Sequence, residues 1–294
     1  MSIQFILLIF ISAVFHLTWN ALLKKSKDKQ IHMSLALIGI TILLTPISAV
    51  ILYTLEITKQ DWIYITGTGL IHGFYFFTLA LAYKYANLNL VYPVTRGLGA
   101  ALVPIFAVFI LDESITKFIT IAVIILFLGV FIINSNNIIQ ITTKTKTMLH
   151  KGTYFALITA LLSASYQIWD KNAMNSSNSL SEVFIYMYFM LFFSAILISI
   201  FTLASKKMFS IKTIGYNSRY SILATGILIF LAYGIIVAIM QFMPISLLAP
   251  SREIGTALGI IAAVIFFKEK LSVQRIIGII AIIIGLILIA IANN

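Results

Sequence analysis

Ten apolar runs, each long enough to cross a bilayer, dominate this chain and leave almost no room for anything else. They fall at 3–23, 33–55, 62–83, 88–111, 117–134, 152–171, 183–204, 220–241, 244–267 and 273–291. A spanning helix needs about 20 predominantly apolar residues, and in hydrocarbon only helices or closed barrels satisfy their own backbone. Hydrophobic residues make up 61% of the 294 and charged residues 10%, with mean hydropathy +1.06. Soluble domains carry roughly 25% charged residues, so the chain reads as an all-α integral membrane protein. The first run ends in Lys24-Lys25 without a small-residue cleavage site, which marks it as a retained helix.

The formal net charge is +11, but the lysines sit in short loops between apolar runs. They read as topology determinants and contacts to anionic lipid head groups, not as a nucleic-acid surface. Counting helices as above, 15 of the 20 basic residues fall on one side and 3 on the other. The richer side is cytoplasmic by the positive-inside rule, which puts both termini outside. There is no cysteine, so disulfides, thiolate chemistry and sulfur-ligated metals are excluded. The four histidines are isolated, with no metal-ligand spacing, and no phosphate-binding loop or nucleophile elbow is present. No cofactor is implied, and energy for any vectorial work must come from an ion gradient or from exchange.

The chain repeats itself. RGLGAA at 96–101 returns as REIGTA at 252–257, and Glu113-Ser114-Ile115-Thr116 returns as Glu269-Lys270-Leu271-Ser272. His16, Trp19 and Asn20 occupy one helix face, and Tyr166, Trp169 and Asp170 repeat the spacing. The division is therefore 1–134 and 151–294, two five-helix copies joined by a polar linker at 135–150. An odd number of helices inverts the second copy, and inverted repeats with a site at their interface recur among secondary transporters.

Arg96 and Arg252 lie within apolar runs. An arginine there costs roughly 3 kcal/mol on insertion scales, which makes a functional role the default. A guanidinium offers a planar fork for carboxylate or phosphate; the structural alternatives are an ion pair or snorkelling to an interface. Glu253 and Asp170 are candidate partners across the repeats. Pro93 and Pro250 precede the arginines and free a backbone carbonyl, and interrupted helices at matching positions of two halves point to a binding site. Gly97, Gly99, Ala101, Gly255 and Gly259 read as packing positions. His16, or His72 with Tyr75 at i+3, is open to substrate binding, to proton carriage or to a packing role. Trp19, Trp169, Tyr92 and Tyr166 form either an aromatic wall or an interfacial belt. Asp170 is a substrate or proton site or a solvated helix end, while Asp112, Glu113 and Glu269 mark helix boundaries.

These residues carry a family resemblance. SAVFHLTWNALLKK (12–25), YPVTRGLGAALVPIFAVFILDESIT (92–116) and APSREIGTALGIIAAVIFFKEKLS (249–272) resemble the ten-helix EamA-type carriers of the drug/metabolite transporter superfamily. The resemblance implies a central cavity lined by the first four helices of each repeat, with the fifth helices at the periphery. It implies transport of a small solute, read here as alternating access across a bacterial inner membrane by a monomer or homodimer. The energy source is a proton, another coupling ion or exchange. The membrane glutamate that couples protons in the few-helix multidrug branch has no counterpart in the first helix, so that mechanism does not carry over. The expected cargo is an amino acid, organic acid or phosphorylated metabolite held by Arg96 and Arg252, with the His16, Trp19 and Asn20 region lining the path. The competing readings are a membrane enzyme acting on lipid-linked substrate and an exporter of lipophilic drugs.

Overall fold

The computed structural model describes residues 3–86, 91, 94–141, 146–177, 179–204, 218–258 and 272–292. Among these, every element is helical: α1 (Ile3–Lys25), α2 (Lys29–Thr54), α3 (Lys59–Tyr85), a π-helical turn (Val94–Leu98) running into α4 (Gly99–Leu111), α5 (Lys117–Ile141), α6 (Lys146–Met174), α7 (Leu180–Ala204), α8 (Arg219–Met240), α9 (Ile245–Ser251) and α10 (Val273–Ala292). Five of them, α1, α2, α3, α7 and α8, are long and apolar enough to span a bilayer. Shorter apolar helices cover Gly99–Leu111, Lys117–Ile132 and Ile276–Ile289. Large apolar side chains face outward, among them Ile42, Val50, Phe109 and Ile121. Such surface marks contact with lipid or with another protein, and the length and apolarity of the helices favour lipid. The polar stretch between the sequence halves is helical at both its ends, as α5 runs to Ile141 and α6 starts at Lys146.

The helix starts follow local chemistry. The Asp28 carboxylate accepts from the Gln30 and Ile31 amides and opens α2. Thr58 and Asp61 open α3 as a reciprocal capping box, each accepting from the other's backbone N–H. Ser179 accepts from the Glu182 amide at the start of α7. Asp112 stops α4 in the left-handed region, at φ 54°.

The chain packs into two compact units, Met1–Val14, Ala82–Ile168 and Met243–Asn294 in one, Phe15–Leu81 and Trp169–Phe242 in the other. Each unit takes one piece from each sequence half, and the breaks recur at matching places. Those after Val14 and Ile168 lie 154 residues apart, those after Leu81 and Phe242 161 apart.

In the unit built on Phe15–Leu81, α2 packs against α7 and α8. A Cβ at Gly226 of α8 would lie 2.5 Å from the Ala36 carbonyl oxygen, so only glycine permits the crossing. Gly69 and Gly73, one turn apart on α3, receive Phe193 and Leu197 of α7, whose side chains would approach an added Cβ to 2.4 and 2.7 Å. Small residues at four-residue spacing allow this close approach in lipid, where no hydrophobic force drives helices together. In the other unit α5 and α10, the fifth helices of the two sequence halves, pack along each other. Gly129 meets the Gly278 carbonyl and Gly285 meets Leu126 and Ala122. The short α9 lies against α4.

Candidate functional site

Both arginines sit where a helix is interrupted. The expected run 244–267 is not one straight helix. Pro250 has no N–H to donate, and α9 stops at Ser251. Arg252 and Glu253 form a turn before helical structure resumes at 254–258. Across the break the backbone tightens, with Glu253 N donating to Pro250 O (2.9 Å), Gly255 N to Arg252 O (3.1 Å) and Thr256 N to Glu253 O (2.9 Å). Arg96 lies in the π-helical turn Val94–Leu98, where the spiral widens instead. Such single π turns concentrate at functional sites. Irregular backbone at membrane depth is tolerated only where protein buries it or a polar cavity meets it. The side chain of Arg96, and Tyr92, Pro93, Gly259 and Glu269 altogether, lie outside the described residues.

Around Arg252 a polar chain runs through the unit that holds α4, α9 and the first part of α6. The half-buried guanidinium donates to Gln167 Oε1 at 3.0 Å. Gln167 donates through Nε2 to the Ser163 carbonyl at 2.9 Å, and Ser163 Oγ donates to the Tyr166 hydroxyl at 3.3 Å. Gly99, three residues beyond Arg96, packs on Ser163, to which an added Cβ would come within 3.3 Å. The stretches that carry the two arginines are thus neighbours of one network. Glu253, 2% exposed, accepts from Thr256 Oγ1 at 2.7 Å. Glu113 does more than mark a boundary. Its carboxylate takes the Ile245 and Ser246 amides at 2.8 and 3.0 Å and caps α9, whose own N-cap is Pro244 without a side-chain acceptor.

The second polar cluster lies in the other unit. Asp170 is fully buried, which rules out a solvated helix end. Tyr186 of α7 donates to Oδ1 at 2.6 Å and Tyr233 of α8 donates to Oδ2. The His72 ring lies 5.1 Å from that of Tyr233, and its Nδ1 is 3.1 Å from the Thr68 hydroxyl. Tyr75 stacks edge-on to His72 at 6.4 Å between ring centroids. Trp169 is a structural peg: its indole donates to the Tyr64 carbonyl at 2.9 Å and lies against Gly67. Trp19 is buried and donates to His16 Nδ1 at 3.2 Å, while Asn20 donates to the His16 carbonyl at 2.8 Å. Gln167, Tyr186 and Tyr233 escaped the sequence reading, since their roles rest on partners in distant helices.

Residues 150–291 match the model of the EamA-like transporter family. No curated protein matches the chain. A solved structure, titled only as the crystal structure of a protein, aligns with a TM-score of 0.72 at 17% identity. The alignment covers 98% of each chain, which extends the fold likeness over both sequence halves.

Proposed function

We propose, from the match of residues 150–291 to the EamA-like transporter family model, that the chain is a secondary transporter of small polar solutes bearing a carboxylate or phosphate. Arg252 and Arg96 hold the anionic group, and Gln167, Ser163 and Tyr166 complete the contact surface near Arg252. The observation that carries this reading is the pair of arginines at interrupted backbone in corresponding positions of the two halves. Arg252 donates to the amide oxygen of Gln167 at 3.0 Å, and a guanidinium presents a planar fork that matches carboxylate or phosphate. The matched unit breaks favour a repeat of the two sequence halves; the reading takes them as inverted five-helix repeats, 1–134 and 151–294, working by alternating access. The loop charge favours both termini outside, and the reading places the chain in a bacterial inner membrane.

The test is thermal unfolding of the purified chain against libraries of amino acids, organic acids, sugar phosphates and lipophilic cations. A ligand at a hundredfold excess over Kd stabilises by about 2.7 kcal/mol. Anionic or zwitterionic solutes are expected to stabilise the wild type and not Arg252→Ala, and the same solutes to exchange across proteoliposomes. Stabilisation by lipophilic cations alone, equal in both proteins, refutes the assignment.

A further inference from the structure

We propose that Asp170, with Tyr186, Tyr233, Thr68 and His72, is a proton-binding site that couples solute movement to a proton gradient. The inference rests on the transporter reading above and extends it to an energy source. An ionised carboxylate removed from water is costly unless paired or hydrogen-bonded, and an intramembrane acid is a candidate proton relay. Asp170 is fully buried, and each of its oxygens receives a phenol O–H. Phenols suit a group that changes charge. When a proton arrives, the carboxyl becomes a neutral donor, and one tyrosine hydroxyl turns from donor to acceptor without moving its ring. The Thr68 hydroxyl, one turn before His72 on α3, lies 3.1 Å from His72 Nδ1.

The groups facing the carboxyl are Tyr186 from α7 and Tyr233 from α8, with His72 and Tyr64 of α3 behind them. Lys171, the next residue on α6, sends its Nζ to the Met240 carbonyl, 2.7 Å away. Tyr186 and Tyr64 form part of the wall of an open cleft of about 430 Å³, mouth included. Glu56, Asp61 and Glu182 line the same cleft and no lysine or arginine does. Asp61 and Glu182 also serve the starts of α3 and α7, so their first task is structural. A cleft lined by one sign of charge raises the local concentration of the opposite ion. The cleft lies at the α2–α3 and α6–α7 connections, which the loop charge assigns to the outside, the side from which an inward proton gradient is fed.

The experiment is pH-difference infrared spectroscopy of the full chain in lipid, for wild type, Asp170→Asn, Tyr186→Phe and Tyr233→Phe. A protonated-carboxyl band is expected to titrate in the wild type, to vanish in Asp170→Asn and to shift in both tyrosine variants, which keep ring volume and so the packing. In proteoliposomes, a labelled pool of amino acids and organic acids is expected to exchange through Asp170→Asn but to accumulate under an imposed pH gradient only through the wild type. A titrating band that survives in Asp170→Asn, the absence of any titrating band, or equal pH-driven accumulation by both proteins overturns the proposal. The infrared titration needs no solute. If the wild type exchanges nothing while the band behaves as expected, the transporter reading fails and the proton site stands.

Discussion

Removing the carboxylate of Glu113 tests whether the position of the interrupted helix is set from a distance. Its two oxygens hold the Ile245 and Ser246 amides at 2.8 and 3.0 Å, and Pro244 offers no substitute acceptor. Hydrogen bonds to a charged group contribute about 1.5–3 kcal/mol each in net terms, and a carboxylate at a helix start adds about 0.3–1 kcal/mol. The group is half-buried, so water recovers part of the loss. Glu113→Ala should then cost about 2–4 kcal/mol, and Glu113→Gln, which keeps one acceptor and loses the charge, about half of that. In a chain of this size 1 kcal/mol corresponds to roughly 2 °C in melting temperature. Thermal unfolding in detergent should rank wild type above Gln and Gln above Ala, with Ala lower by about 4–8 °C. Because α9 ends at Arg252, solute-induced stabilisation should weaken in the same order. A Glu113→Ala protein that melts with the wild type, or a Gln variant worse than Ala, would show that the two amides find other partners and that the cap is incidental.

Other outcomes follow from the same geometry. Gly69→Ala places a Cβ 2.4 Å from Phe193 Cβ and should destabilise by about 1–3 kcal/mol in thermal unfolding. Gly39→Ala meets nothing within 4 Å and should instead stabilise α2 by about 0.5–1 kcal/mol. Gln167→Leu should leave the fold intact but raise the solute concentration needed for half-maximal stabilisation, because the Arg252 fork loses its 3.0 Å support. Tyr233→Phe should cost about 1–3 kcal/mol by leaving one buried Asp170 oxygen without that donor, measured as a shift in unfolding midpoint.

The class of protein was legible because composition and run length decide it. A chain with 61% hydrophobic residues in runs of about 20 has few other ways to fold. The interruption before Arg252 was legible too, since Pro250 deprives a helix of a donor wherever it stands. What stayed hidden depends on which residues meet across helices. The sequence holds 13 tyrosines, and no spacing singles out Tyr186 and Tyr233, 16 and 63 positions from Asp170, as its donors. Trp169 reads equally as belt or pocket until its N–H is seen on the Tyr64 carbonyl. The small residues beside the arginines drew attention because they repeat. Gly69, Gly73 and Gly226, which admit Phe193, Leu197 and the Ala36 carbonyl, carry no such mark.

The acidic residues show how the two halves differ. Of nine in the chain, Asp28, Asp61, Glu113 and Glu182 serve helix starts, where amides satisfy them or they complete a cap. Among the described residues the buried acids are Asp170 and Glu253, both in the second half. Their counterparts in the first half are neutral, Asn20 and Gly97, so the copies are not interchangeable. Moving the acid back tests this. In Asn20→Asp with Asp170→Asn the carboxylate would face the His16 carbonyl, to which Asn20 now donates at 2.8 Å. Two acceptors then oppose each other without the phenol donors that Tyr186 and Tyr233 supply to Asp170. The swapped protein should keep solute exchange and should not recover pH-driven accumulation. Recovery would mean that any acid on this face of either repeat suffices, and that the tyrosines around Asp170 serve packing alone.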